Sequence, residues 1–235
     1  MTPKDKLTFN GFSLETIKFL KEVKTRNSKE WFEQHRAEYE EHLLSPLRAL
    51  VCALSGTVFG IDKRIETSPA INRAISRIYR DIRFSKDKSL FRDEAWISFK
   101  RRTGERMTIP EFYFYITPTM YEFGMGYYAA DRASMDLFRT AITKKAASFR
   151  KAIAFLEAST GDFERHEDRY KRFIKNDGAK DLEDWYQLRS FCYRIRRKTD
   201  KRLYSPGLAE EITEAFTDLR PLYTFLVRNT VDQVC

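Results

Sequence analysis

The chain has 235 residues, of which 42% are hydrophobic and 33% charged, and it carries a formal net charge of +9. It is too hydrophobic and aromatic for a disordered protein, and its 9 Gly and 7 Pro are too few for a fibrous one. The length favours a single domain over residues 1–235, which would bury roughly 70–75% of the surface exposed by the unfolded chain.

Cysteine usage and apolar patterning predict a cytoplasmic protein. The three cysteines, Cys52, Cys192 and Cys235, form no Cys-x-x-Cys pair, which fits a reduced compartment. The first ten residues contain no apolar run typical of a secretory signal. Uninterrupted apolar runs fall well short of the roughly 20 residues that cross a bilayer, so we expect no membrane span.

Helical patterns open the chain. Ser13 is a plausible N-cap for a helix that ends near Thr25, and Ser28 for the next one. Pro46 should break or restart this second helix, because proline lacks the N–H that a helix interior needs. A further helical stretch is expected to about Phe59.

Strand patterns occupy the middle of the chain. Short runs rich in branched and aromatic residues predict strands at 75–80, 95–100, 112–117 and 120–128. Pro118 and Thr119 separate the last two runs and indicate a hairpin. Because side chains alternate along a strand, Tyr113 and Tyr115 should share a face opposite the apolar one.

Helical periodicity returns after Asp131. A basic, strand-like segment at 191–196 interrupts it, and a last helix begins after Ser205 with Pro206 at its first position. Helices, then clustered strands, then helices favour an α+β fold with an antiparallel central sheet flanked by helices.

The densest feature is the dodecamer RIYRDIRFSKDK at residues 77–88. Arginine forks suit phosphate or carboxylate, and Asp81 would fix their orientation, so we predict an anion site. Its ligand-binding side chains would be Arg77, Arg80, Arg83, Ser85, Lys86 and Lys88. The alternative is an internal ion-pair network, in which Asp81 pairs with Arg77 or Arg83 and Asp87 pairs with a lysine.

The dodecamer resembles the signature of a bacterial and fungal family catalogued as a domain of unknown function, which typically shows RIYRDTRFSKDKTPYK. Further segments resemble that family in the same order, among them NSKEWFEQHRAEY at 27–39 and FYFYITPTMYEFGMGYY at 112–128. After the signature this chain has Ser89, Leu90, Phe91 and Arg92 in place of the family's Thr-Pro-Tyr-Lys. The resemblance implies a cytoplasmic, single-domain α+β protein and implies no activity.

Two glycines and a tyrosine complete the predicted site. Gly124 and Gly126 lie two residues apart in a predicted strand, a spacing that marks a bulge or a close approach of backbone or ligand. Beside Tyr113 and the dodecamer they would form the floor of a ligand groove. A bulge that only curves the sheet is the alternative.

Other candidate residues give weaker signals. His35 and His42 are seven residues apart, whereas adjacent-turn metal ligands are three or four apart, so we predict no metal site. Cys52 is expected in the core. The basic segment at 189–202 carries seven basic residues against one acidic. Such a segment is typical of a solvated connector or of a single-stranded nucleic-acid contact.

These residues support three hypotheses of function. The first is an Arg- and Lys-rich cleft that binds an anionic small molecule or a nucleic acid. The second is an enzyme acting on an anionic substrate, with Asp81 or Asp87 as general base or metal ligand and arginines stabilising negative charge. The third is a structural or partner-binding protein whose charged motif is an ion-pair network. The cofactor and the oligomeric state stay open.

Overall fold

The computed structural model describes residues 7–83, 86–102, 108–158, 162–176 and 178–233. The helices are α1 (Leu14–Thr25), α2 (Lys29–Gln34), α3 (Arg36–Glu38), α4 (Ser45–Ile61), α5 (Arg132–Lys144), α6 (Ala146–Ile153), α7 (Phe155–Ala158), α8 (Glu183–Tyr186) and α9 (Gly207–Asn229). A π-helical turn, Tyr39–Leu44, joins α3 to α4, and short 3₁₀ turns span Lys180–Leu182 and Val231–Gln233.

The strands form one five-stranded antiparallel sheet within the described residues. They are β1 (Ala95–Phe99), β2 (Glu111–Ile116), β3 (Met120–Gly126), β4 (Glu164–Arg169) and β5 (Leu188–Lys198). Their order in the sheet is β1-β2-β3-β5-β4. The predicted α+β class is therefore confirmed.

Residue contacts divide the chain into two compact units. Unit 1 comprises Met1–Phe99, Tyr113–Phe123 and Arg196–Glu214. Unit 2 comprises Lys100–Phe112, Gly124–Ile195 and Ala215–Cys235. Strands β2, β3 and β5 and helix α9 each contribute residues to both. A single domain over residues 1–235 stays a prediction.

Local sequence signals begin the helices of unit 1. The Ser13 side chain accepts a hydrogen bond from the Thr16 N–H and caps α1, as predicted, and Ser28 caps α2 in the same way. Pro46 restarts the helix: it lies in the first turn of α4, directly after the π-helical turn. The carbonyl of His42, four residues before Pro46, instead accepts a hydrogen bond from the Thr16 hydroxyl at 2.5 Å.

Helix α4 belongs to the core of unit 1. By length and composition alone, the helical run Arg36–Ile61 is apolar enough to cross a membrane. Leu50, Val51 and Leu54 of this run are fully buried, as in the core helix of a soluble protein, and the run is compatible with a soluble protein. The opposite face of α4 is exposed to solvent, and Cys52 lies on that face. The prediction that Cys52 lies in the core was wrong, because its position on α4 turns it away from the buried stripe.

A buried arginine organises part of unit 2. Arg139 on α5 is 6% exposed. Its guanidinium donates to the carbonyls of Tyr186 and Leu188 at 2.9 and 2.8 Å and pairs with Asp136 at 2.8 Å. These contacts supply the hydrogen-bond acceptors and the negative charge that a cation buried away from water requires.

The strand predictions were correct at β1, β2 and β3 and wrong at residues 75–80. That segment makes isolated bridges, Ile75 to Ile97 and Tyr79 to Phe91, and forms no regular strand. It cannot form a continuous ladder, since it changes partner within four residues. The sequence analysis also missed β4, whose six residues, ERHEDR, lack an apolar alternation. Pairing with β5 makes β4 a strand.

Candidate functional site

The dodecamer lies in unit 1, in a loop that we call the cationic loop (residues 77–92). Two short segments, residues 78–80 and 90–92, form the neck of this loop. Within the neck, the Arg80 N–H donates to the Leu90 carbonyl and the Arg92 N–H donates to the Ile78 carbonyl, both at 2.9 Å. The neck is fastened to the core, where Phe91 is 1% exposed and stacks on Phe32 with ring centroids 4.4 Å apart. The loop therefore starts and ends at fixed points.

Side chains on either side of residues 84 and 85 contact one another within the loop. Asp81 accepts two hydrogen bonds from the Arg83 guanidinium, at 3.0 and 2.8 Å, and lies 3.8 Å from the guanidinium of Arg77. Arg80 pairs with Asp87 at 3.3 Å. Lys88 donates to the carbonyl of Ile82 at 2.8 Å. The predicted ion pairs of Asp81 are thus present, whereas Asp87 pairs with an arginine and not with the predicted lysine.

The cations nevertheless stay at the surface. The side chain of Arg77 is 49% exposed and that of Arg83 is 75% exposed, whereas that of Arg80 is 16% exposed. Lys86 and Lys88 are exposed, and no ion pair joins either of them to a carboxylate of the described residues. The loop consequently presents positive charge from a fastened backbone, although Arg80 lies largely inside it.

The two aspartates of the loop are poor general bases. Hydrogen bonds from Arg83 hold the pKa of Asp81 well below its ordinary value. The pKa of Asp87 is lowered too, chiefly by the hydrogen bond from the Ser89 N–H. A general base is most effective when its pKa lies near the working pH. The described residues also hold no group of three or more His, Cys, Asp and Glu side chains placed to bind a metal ion.

The remaining predicted site residues are Ser85, Tyr113 and the two glycines. Ser85 falls outside the described residues. Tyr113 is half-buried on β2, and its hydroxyl donates to Glu122 at 3.3 Å.

The two glycines meet the neighbouring strand. A Cβ added at Gly124 would lie 2.0 Å from the Tyr193 carbonyl oxygen, and one at Gly126 would lie 2.4 Å from that of Phe191. Glycine is needed here because the backbone of β5 approaches closely. This close approach accounts for both positions without a ligand, and we leave them out of the site proposed below.

A surface cavity of about 280 Å³ lies elsewhere in unit 1, and we call it the turn cavity. It adjoins the β2–β3 turn and is lined by Lys24, Asp93, Tyr115, Thr117, Pro118, Thr119, Met120 and Arg196. Hydrogen bonds fix the turn, since the Thr117 hydroxyl accepts from the Thr119 and Met120 N–H groups at 3.3 and 3.1 Å. The end of the β2–β3 hairpin, which forms part of the cavity wall, is therefore rigid.

Charged groups line the turn cavity on two sides. Lys24 pairs with Asp93 at 3.1 Å. The Tyr115 hydroxyl donates to Glu94, and burial together with that carboxylate raises the pKa of Tyr115, so the phenol stays protonated. Arg196, which also lines the cavity, is 51% exposed, and its Nε lies 3.7 Å from Glu122.

A profile of the DUF2461 family, described as a conserved hypothetical protein family, matches residues 15–225. The chain belongs to this family. No curated protein matches the chain. Membership of DUF2461 confirms the resemblance found in the sequence, and it brings no activity to any of the residues described above.

In this DUF2461 chain the sequence analysis missed the turn cavity. Lys24, Asp93 and Arg196 come from three distant segments, so no spacing rule could group them. Arg196 was predicted to end a strand-like segment, within a basic stretch typical of a solvated connector or of a single-stranded nucleic-acid contact. The arginines of β5 instead have carboxylate neighbours supplied from far along the chain, such as Glu164 for Arg194 at 2.6 Å.

Proposed function

We propose that the protein binds a phosphate-bearing ligand through Arg77, Arg83, Lys86 and Lys88 of the cationic loop. The supporting observation is the combination of a fastened backbone with exposed cations. Residues 77–92 hold six cations against two carboxylates, so internal pairing leaves most of the positive charge uncompensated. A loop whose two ends are fixed also loses less conformational entropy on binding than one whose ends are free.

The chemistry of the loop favours phosphate over neutral ligands. Guanidinium groups present planar forks that match phosphate oxygens, and lysine ammonium groups add compact charges. The ligand is an anionic small molecule or a nucleic acid, because both carry this group. A cytoplasmic setting is part of the proposal, and the free thiols of Cys52 and Cys192 support it.

Salt dependence separates the two ligand classes. Fluorescence anisotropy with a labelled 20-base-pair DNA duplex, repeated at several salt concentrations, should give a log affinity that falls by about 0.9 per phosphate contacted for each unit of log salt. ATP, measured by calorimetry, represents the small phosphate ligands. If neither probe binds at low salt, the proposal is wrong.

A matched pair of variants locates the binding. The triple substitution Arg77→Gln, Arg83→Gln and Lys86→Gln should reduce the salt slope for the duplex by about three, one for each cation removed. The control replaces three exposed lysines of α1 and α2, Lys18, Lys21 and Lys29, by Gln, which changes the net charge equally. Equal losses in both variants would show general attraction to a basic protein and contradict a loop site.

The structural hypothesis also has an observation in its favour, namely the ion pairs of Asp81 and Asp87. Under that hypothesis the loop variants lose thermal stability and neither probe binds. A loss of thermal stability is expected under both hypotheses, because Arg77 and Arg83 pair with Asp81. The binding of the duplex and of ATP to the unmodified protein therefore distinguishes the two functions.

A further inference from the structure

We infer that the turn cavity is a second site, one that binds a small organic anion with a compact apolar body. Its volume of about 280 Å³ lies just below the range of about 300–1,000 Å³ for small-molecule sites, so it suits a fragment-sized ligand. The lining residues belong to unit 1 and are distinct from the tip of the cationic loop.

Arg196 supplies the anion-binding group. Its closest carboxylate contact is 3.7 Å from Nε to Glu122, which is beyond hydrogen-bond distance. The guanidinium donors of Arg196 thus keep their capacity for a bidentate bond to a carboxylate or phosphate. A half-exposed arginine held on a strand can make that bond with little rearrangement.

Lys24 and Asp93 are the other charged residues of the cavity lining. Lys24 lies 3.1 Å from the Asp93 carboxylate, whereas Arg196 lies 3.7 Å from that of Glu122, so Arg196 is the more weakly paired of the two cations. The anionic group of the ligand should therefore lie at Arg196, and Asp93 should disfavour an anion at the other end. This arrangement gives the ligand one orientation.

The β2–β3 turn supplies the apolar and hydroxyl surfaces. Pro118 and Met120 offer apolar contact, and Tyr115 and Thr119 place hydroxyl groups at the rim. Since the Thr117 hydroxyl already holds the turn together, the apolar wall is preformed. A small ring or short chain attached to a phosphate or carboxylate complements these surfaces.

Phenyl phosphate is the probe for this inference, with benzyl alcohol as its uncharged counterpart. Isothermal titration calorimetry should show binding of phenyl phosphate to the unmodified protein and none of benzyl alcohol. Arg196→Gln should weaken phenyl phosphate at least tenfold, and Arg196→Lys at least threefold, because the ammonium lacks the fork. Met120→Ala should weaken the binding of phenyl phosphate and leave any binding of inorganic phosphate unchanged.

Arg64→Gln is the matched control. Arg64 also belongs to unit 1, its side chain is 61% exposed, and its Nε lies 3.7 Å from a carboxylate, that of Asp62. Its substitution should change the affinity for phenyl phosphate less than twofold. Failure of the unmodified protein to bind phenyl phosphate, or equal losses in the Arg196 and Arg64 variants, overturns the inference.

The loop variant separates this site from the proposed function. The triple substitution at Arg77, Arg83 and Lys86 should leave the affinity for phenyl phosphate within twofold. If that variant abolishes binding and Arg196→Gln does not, the ligand lies on the cationic loop and the cavity inference is wrong. If the binding of phenyl phosphate depends on Arg196 but neither the duplex nor ATP binds, the proposed function of the loop is wrong and the inference about the cavity is supported.

Discussion

Asn27 holds both polar groups of Phe91 with a single side chain. Its Oδ1 accepts from the Phe91 N–H at 3.0 Å, and its Nδ2 donates to the Phe91 carbonyl at 2.8 Å. The side-chain amide of Asn27 thus makes the two hydrogen bonds that a neighbouring strand would make to Phe91, which lies at the neck of the cationic loop. Asn27 also donates to the Val23 carbonyl at 2.9 Å, which ties the loop to the end of α1.

Removing this side chain should loosen the loop and the core beneath it. Asn27→Ala leaves the polar groups of the buried Phe91 without their partner, and we expect the free energy of unfolding to fall by about 2 kcal/mol. Urea denaturation followed by circular dichroism measures the change. Asn10, which is exposed, provides the control, and its replacement by Ala should have little effect. An unchanged midpoint for Asn27→Ala would contradict the role assigned to this residue.

The close approach of β3 to β5 predicts opposite effects of the same substitution at two glycines. Gly124→Ala would push a methyl group into the Tyr193 carbonyl, and we expect a loss of about 3 kcal/mol in unfolding free energy. Gly56→Ala on α4 meets nothing within 4 Å and should stabilise the protein by up to about 1 kcal/mol. Denaturant melts of both variants test the prediction. A tolerated alanine at Gly124 would show that the strands are not packed as described.

The pairing of Asp81 with Arg83 predicts a pH dependence of stability. Because the folded-state pKa of Asp81 lies below its ordinary value of 3.8, the ionised carboxylate stabilises the native loop above about pH 4. This stabilisation is lost as the pH falls from about 4 toward the pKa that Asp81 has in the folded protein. Asp81→Asn lacks it at every pH, so the variant should melt a few degrees lower at neutral pH.

The difference in melting temperature between the two proteins should narrow as the pH is lowered from 4 to 2.5. Thermal unfolding followed by circular dichroism at neutral pH and at pH 4, 3 and 2.5 measures it. Asp168, an exposed carboxylate that pairs with Arg189 at 3.3 Å, supplies a comparison through Asp168→Asn. A difference for Asp81→Asn that stays constant down to pH 2.5 would show that the ion pair does not produce it.

Short-range chemistry could be predicted from the sequence. Ser13 and Ser28 are N-caps that bond to backbone groups three residues away, and the β2–β3 hairpin turns around Pro118 and Thr119 within a few residues. Such features depend on neighbours along the chain, which the sequence displays directly. The α+β class followed from the order of these local patterns.

The tertiary structure alone decided which distant residues meet. The ion pairs at Asp81 are local, but the neck of the same loop is held by Asn27, 64 residues before Phe91. The turn cavity joins Lys24 to Arg196, and β4 is a strand because β5 lies beside it. Contacts between distant segments depend on how the whole backbone packs, and residue spacing carries no record of that packing.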